Sequence, residues 1–140
     1  MMLASLTAGL FLANPCAAEC ESQSPEAFND FLARFSSEKP FAIERTQLPL
    51  AVVKWIDGVD VEGKSVSEPH KFALSLAEYW RWPTLNEYVS EHHLESRISE
   101  QSKAAASLEL YREGYAQKVS YRFELNGGCW VLKTYEAKPI

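Results

Sequence analysis

Val119-Ser120-Tyr121-Arg122-Phe123-Glu124-Leu125-Asn126-Gly127-Gly128-Cys129-Trp130-Val131-Leu132 is the stretch from which the rest of the chain is read. Val119, Tyr121, Phe123 and Leu125 recur at period two opposite Ser120, Arg122 and Glu124, which is the pattern of a strand with one buried face. Asn126-Gly127-Gly128 then signals a hairpin, because its turn needs backbone conformations that Asn and Gly adopt readily. Cys129 to Glu136 follows as the last strand, with Trp130 and Leu132 on one face and Val131 and Tyr135 on the other. Upstream, Leu108, Leu110 and Arg112 begin another alternating strand, which Glu113-Gly114 turns. The result is a C-terminal three-stranded meander.

The chain ahead of the meander has a different period. Phe28, Phe31, Leu32 and Phe35 lie three and four residues apart, the spacing of a helix with one aromatic face that needs a broad apolar surface beneath it. Ser24-Pro25-Glu26 reads as its start, with Ser24 as cap, Pro25 at the first helical position and Glu26 near the positive end of the dipole. Phe41 to Arg45 adds a further turn, and a Val-rich strand runs from Leu50 to Ile56 behind Pro49. Asp57-Gly58 and Glu62-Gly63 make residues 57–65 a polar hairpin or protruding loop. Residues 70–80 leave two readings open: a strand through Phe72, Leu74 and Leu76, or a helix sharing Phe72, Leu76 and Trp80 on one face. Thr84 to His92 reads as a short helix with Leu85, Tyr88 and Val89 on its apolar side. Helices first and a meander last define an α+β fold class.

Bulk properties bound the function. The 140 residues suffice for one domain, with 46% hydrophobic and 24% charged residues in the balance of a folded protein. A formal net charge of −5, with no concentration of Lys and Arg, argues against a nucleic-acid partner. Met1 to Ala18 contain no Asp, Glu, Lys or Arg and hold an apolar run from Leu3 to Ala13, ending in Asn14-Pro15 and the small residues Cys16-Ala17-Ala18. This is the layout of a signal peptide over residues 1–18, cleaved before Glu19, with 19–140 as the single domain. The run is shorter than the roughly 20 apolar residues of a membrane span, so no span is expected after cleavage. Loss of the leader leaves Cys20 and Cys129, the even number expected in the periplasm or outside the cell, and a disulfide between them is predicted.

Three segments carry a resemblance to a known family. They are Phe28-Asn29-Asp30-Phe31-Leu32-Ala33-Arg34-Phe35, the stretch Phe41-Ala42-Ile43-Glu44-Arg45-Thr46-Gln47-Leu48-Pro49-Leu50, and the closing Tyr121 to Leu132. They resemble a small exported bacterial family of unknown function within the superfamily named after nuclear transport factor two. The resemblance implies N-terminal helices packed on a curved antiparallel sheet, a cone with a possible pocket inside it. It implies no chemistry, since the superfamily holds enzymes, binders and structural members.

Candidate functional residues follow from type and spacing. Tyr79, Trp80, Trp82 and Tyr88 crowd together. If the segment is extended, Trp80 and Trp82 share a face opposite Arg81, available to the core, a pocket or a partner surface. His92 and His93 end the short helix beside Glu91 and Glu95, but the spacing falls short of His-Glu-x-x-His, so no metal is assigned. Asp57, Asp60 and Glu62 lack the alternating ligands of a calcium loop. No nucleophile elbow, phosphate loop or dinucleotide fingerprint occurs, and no catalytic residue or cofactor is assigned. The expected function is therefore a non-enzymatic exported binding protein, for a small ligand or for a protein partner as an inhibitor or immunity protein. A small enzyme with a polar site inside the cone, and a homodimeric structural component, are the alternatives.

Overall fold

The computed structural model describes residues 20, 24–114 and 117–139. The predicted leader and its cleavage point lie outside the described residues. The helices are α1 (Phe28–Ser37), α2 (Lys39–Glu44), α3 (Leu76–Trp80) and α4 (Leu85–Glu91). The strands are β1 (Thr46–Val59), β2 (Ser65–Leu74), β3 (Glu95–Gln101), β4 (Ala105–Tyr111), β5 (Gln117–Asn126) and β6 (Cys129–Pro139).

Among the described residues these six strands form one open sheet in the order β2-β1-β6-β5-β4-β3. The α+β class expected from the sequence is the one observed, with two refinements. β1 lies parallel to β6, which makes the sheet mixed. The meander has a fourth strand, β3, which the sequence reading did not foresee. Every residue of Glu95-Ser96-Arg97-Ile98-Ser99-Glu100-Gln101 is exposed, so this edge strand shows no alternation of burial to read.

The aromatic face of α1 packs as its spacing requires. Phe28, Phe31 and Phe35 surround Phe123 of β5, with ring centroids 5.6, 5.5 and 5.2 Å away, and Phe28 meets Trp130 of β6 at 5.0 Å. Phe31 and Phe123 have no exposed surface. Burying each such side chain contributes about 1.5 to 3 kcal/mol, so this cluster fixes the helix to the sheet.

The start of α1 differs from the expectation. The helix begins at Phe28, Ala27 occupies the cap without a side-chain bond, and Ser24, Pro25 and Glu26 lie outside it. Glu26 has other partners. Its backbone N–H donates to Gly128 O (3.0 Å), while its carboxylate accepts from Arg45 Nη1 (2.7 Å) and Trp130 N (3.2 Å). The arm is thus pinned to the β5–β6 hairpin instead of capping the helix. The predicted disulfide is present beside it, joining Cys20 to Cys129 with Cα atoms 5.2 Å apart across 109 residues of sequence.

Two sheet irregularities correct the assigned faces. Arg122 pairs with Thr134 and Phe123 with Leu132, leaving Lys133 unpaired as a bulge in β6. That extra residue shifts the parity of everything after it, so Tyr135 and Ala137 point to the same buried side as Trp130 and Leu132, and Tyr135 is not on the opposite face. β1 begins at Thr46, ahead of Pro49, and its pairing with β6 is interrupted between Thr46 and Ala51, where Pro49 has no N–H to offer.

Residues 70–80 divide between the two readings. The strand runs to Leu74, and Ser75 then caps α3 by accepting from Glu78 N (3.3 Å). The hairpin predicted over 57–65 exists with longer arms, its turn closed by Asp60 Oδ1, which accepts from Glu62 N and Lys64 N at 2.9 Å each. Asp60 is therefore a turn organiser.

Candidate functional site

The helices cover one face of the sheet only in part, and the uncovered portion forms a cleft. Strand register sets its floor: Tyr121 of β5 lies opposite Tyr135 of β6, which lies beside Val52 of β1. One row further out the same face carries Ala137 beside Lys54. The segment after α3 and the helix α4 form the other wall, supplying Trp82, Pro83 and Tyr88. With Gln117 at one end, these groups enclose a cavity of about 300 Å³ that opens to solvent. That volume is at the small end of the range for small-molecule sites.

The local chemistry of α4 explains how its wall is held. Thr84 Oγ1 accepts from Glu87 N (3.2 Å), and Thr84 N donates to Glu87 Oε2 (3.3 Å), a reciprocal capping box. Trp82, just ahead of this cap, sets its ring edge-on to Tyr135 with centroids 4.8 Å apart, and it also touches Tyr79 at 5.7 Å. Tyr121 meets Tyr135 edge-on at 5.2 Å. The cleft is therefore walled by interlocked rings.

Two of its neighbouring phenols are shifted upward. Burial holds the Tyr121 hydroxyl well above the ordinary tyrosine range, and the nearby Tyr135, Tyr79 and Tyr88 push it in the same direction. Burial also raises Tyr79, partly offset by its hydrogen bond with the Thr46 hydroxyl, whose Oγ1 lies 3.2 Å from the phenol oxygen. Both remain neutral phenols at physiological pH.

The six residues proposed from sequence do not form one site. Trp82 and Tyr88 line the cleft. Tyr79 borders a void of about 20 Å³ next to it, shared with Phe35 and Tyr121. Trp80 is elsewhere. Tyr79 and Trp80 are helical, so alternation along an extended segment does not apply, and Trp80 is half-exposed with Lys39 Nζ 5.9 Å from its ring centroid. His92 closes α4, its ring centroid 4.6 Å from that of Tyr88 and its carbonyl accepting from Arg112 Nη1 (2.8 Å). His93 is exposed in a left-handed backbone conformation, φ 52°. No group of three or more His, Cys, Asp or Glu side chains suited to a metal ion exists among the described residues.

Sequence reading missed Lys54, Gln117, Tyr121, Tyr135 and Ala137 as site residues, because strands distant in sequence bring them together. One signal was available. Tyr121 and Tyr135 place hydroxyls on strands where a filled core would use Phe or Leu, and a buried polar atom calls for a reason.

Comparison with solved structures shows the class of fold. An NTF2-like protein from Bacteroides fragilis NCTC 9343 superposes with a TM-score of 0.56 at 19% identity, over 83% of this chain and 48% of the other. This chain therefore spans about half of that protein's length. A protein from Bacteroides uniformis ATCC 8492 gives 0.48 at 20% identity, covering 80% of this chain and 76% of that one. A DUF4783 family protein from Bacteroides fragilis YCH46 gives 0.45 at 8% identity, over 82% and 99%. By the first of these superpositions the chain has the cone-shaped α+β fold of NTF2-like proteins, as its three sequence segments implied. No family model matches it, and no curated protein does.

Proposed function

We propose that this chain is an exported, non-enzymatic binding protein whose ligand occupies the cleft between Trp82–Tyr88 and the concave sheet face. The observation that carries this reading is the lining itself: among the described residues it consists of aromatic rings, small or polar uncharged groups and one lysine, without the pair of convergent carboxylate, imidazole or thiol groups that acid–base or nucleophilic chemistry uses. The cone scaffold supplies the concavity, and the fold by itself assigns no reaction. Export rests on the leader-like Met1 to Ala18 and on the Cys20–Cys129 bridge, a bond suited to an oxidising compartment. No helix among the described residues is long and apolar enough to cross a membrane.

Titration of small aromatic compounds against the intrinsic tryptophan fluorescence of the secreted protein tests the site. Saturable binding that Trp82→Ala and Tyr88→Ala each weaken about tenfold, loss of roughly one stacking contact, supports it. Wild-type affinity in both variants overturns it. Export is tested by the first residue of the protein recovered from the periplasm, expected at Glu19.

A second reading, an inhibitor of an envelope hydrolase, is favoured by the outer half of the β1–β2 ribbon. There Ile56, Val59 and Val61 are 50%, 69% and 106% exposed, an apolar tip in the place where a partner would cover it. Shortening the ribbon between Asp57 and Val66 separates the two readings, since cleft binding survives that change and inhibition does not.

A further inference from the structure

Resting on the cleft reading above, we infer that the ligand is an apolar, ring-bearing monocarboxylate, its ring against Trp82 and Tyr135 and its carboxylate held between Lys54 and the Tyr121 hydroxyl. Among the described residues, Lys54 is the one charged residue lining the cleft, in a chain whose formal net charge is −5. Its ammonium group has no ion pair among the described residues. Its cross-strand neighbour on the concave face is His70, and Glu68, opposite Ile56, is one row further from the cleft.

Tyr121 supplies the second, independent mark. It is 6% exposed, yet it borders both the cleft and the small void beside it. Its hydroxyl makes no hydrogen bond to any described residue. A hydroxyl that borders the cleft and has no protein acceptor is available to donate to an anion arriving there. The phenol stays protonated because burial opposes its ionisation, so it acts as a donor. Ala137, between Lys54 and the tyrosine row, contributes only a methyl group and leaves the space open.

Charge count selects a carboxylate over a phosphate. A single cation neutralises one negative charge, whereas a dianion would leave its second charge unpaired among aromatic rings, where desolvation is expensive.

The test uses the mature protein and four probes of similar ring size: 1-naphthoate, 1-naphthol, 1-naphthylmethylamine and 1-naphthyl phosphate, read by tryptophan fluorescence and calorimetry. The expected result is 1-naphthoate binding at least about tenfold more tightly than the other three. Lys54→Met should erase that preference while keeping the weak binding of 1-naphthol, and Tyr121→Phe should weaken 1-naphthoate several-fold and 1-naphthol not at all. Ala137→Leu should block every probe. Equal binding of the probes, a preference for the phosphate, or a preference that survives Lys54→Met overturns the carboxylate assignment and leaves the cleft reading standing. Binding that Ala137→Leu does not disturb, or no saturable binding at all, overturns both.

Discussion

Arg45 Nη1 donates to Glu26 Oε2 across 2.7 Å, from a side chain with no exposed surface to one that is 17% exposed. The guanidinium also stands 4.8 Å over the Phe41 ring and places Nη2 3.3 Å from Cys20 Sγ. The pair therefore joins the end of α2 to the N-terminal arm at the point where the disulfide enters the core. Removing one member of a buried pair strands the other charge, at a cost of about 3 to 5 kcal/mol, whereas replacing both with apolar groups is often neutral. Glu26→Ala should lower the unfolding free energy measured in urea by about 3 kcal/mol, and the double change Glu26→Leu with Arg45→Met should recover most of it.

Reduction should show how much of the fold depends on the bridge. Cys20 and Cys129 close a loop spanning 109 residues of sequence, for which the chain-entropy argument gives about 4 to 5 kcal/mol as an upper figure. Thermal melting of Cys129→Ser, or of the wild type in a thiol reductant, should fall by many degrees. A thiol count on the native protein should find neither of these two sulfurs free, and two titratable thiols there would remove both the bridge and the argument for export.

Much of the architecture was legible because burial imposes a period. Phe28, Phe31 and Phe35 repeat at helical spacing since they face one surface, and Val119, Tyr121 and Phe123 alternate since β5 has one buried side. The failures have equally physical causes. β3 has no buried face to leave a pattern, and the bulge at Lys133 changes the parity of β6 in a way that the residue types around it do not announce. The site was half legible. Trp82 and Tyr88 are close in sequence and stand out by composition, but Lys54, Tyr121 and Ala137 become neighbours only through the parallel β1–β6 pairing, a tertiary fact.

Thr84 connects local stability to the cleft. Its capping box satisfies free amides at the start of α4, and losing such a cap costs about 1 kcal/mol. Thr84→Ala should reduce global stability by about that amount in urea titration. Tyr88 sits on the first turn of the same helix, so amide hydrogen exchange over residues 85–91 should accelerate. Thr84→Ser should behave as the wild type.

Alkaline pH should expose the buried phenols. Tyr121 is raised well above 10.0, the ordinary value, first by desolvation and then by the tyrosines around it, and Tyr79 is raised in the same direction. A group whose folded pKa exceeds its unfolded one contributes its full stability below the unfolded value, and loses it as pH rises, because the unfolded chain releases the proton first. Stability should therefore be flat across neutral pH with respect to these groups and fall above about pH 10. Tyrosinate absorbance should show a reversible early titration from exposed phenols, followed by a steep step that coincides with loss of the circular dichroism signal. In Tyr121→Phe the steep step should move to higher pH, because the substitution removes the most strongly shifted proton from the linkage. A steep step unchanged in Tyr121→Phe, or Tyr121 titrating with the exposed phenols in the folded protein, would mean that packing does not shield its ring and hydroxyl from water.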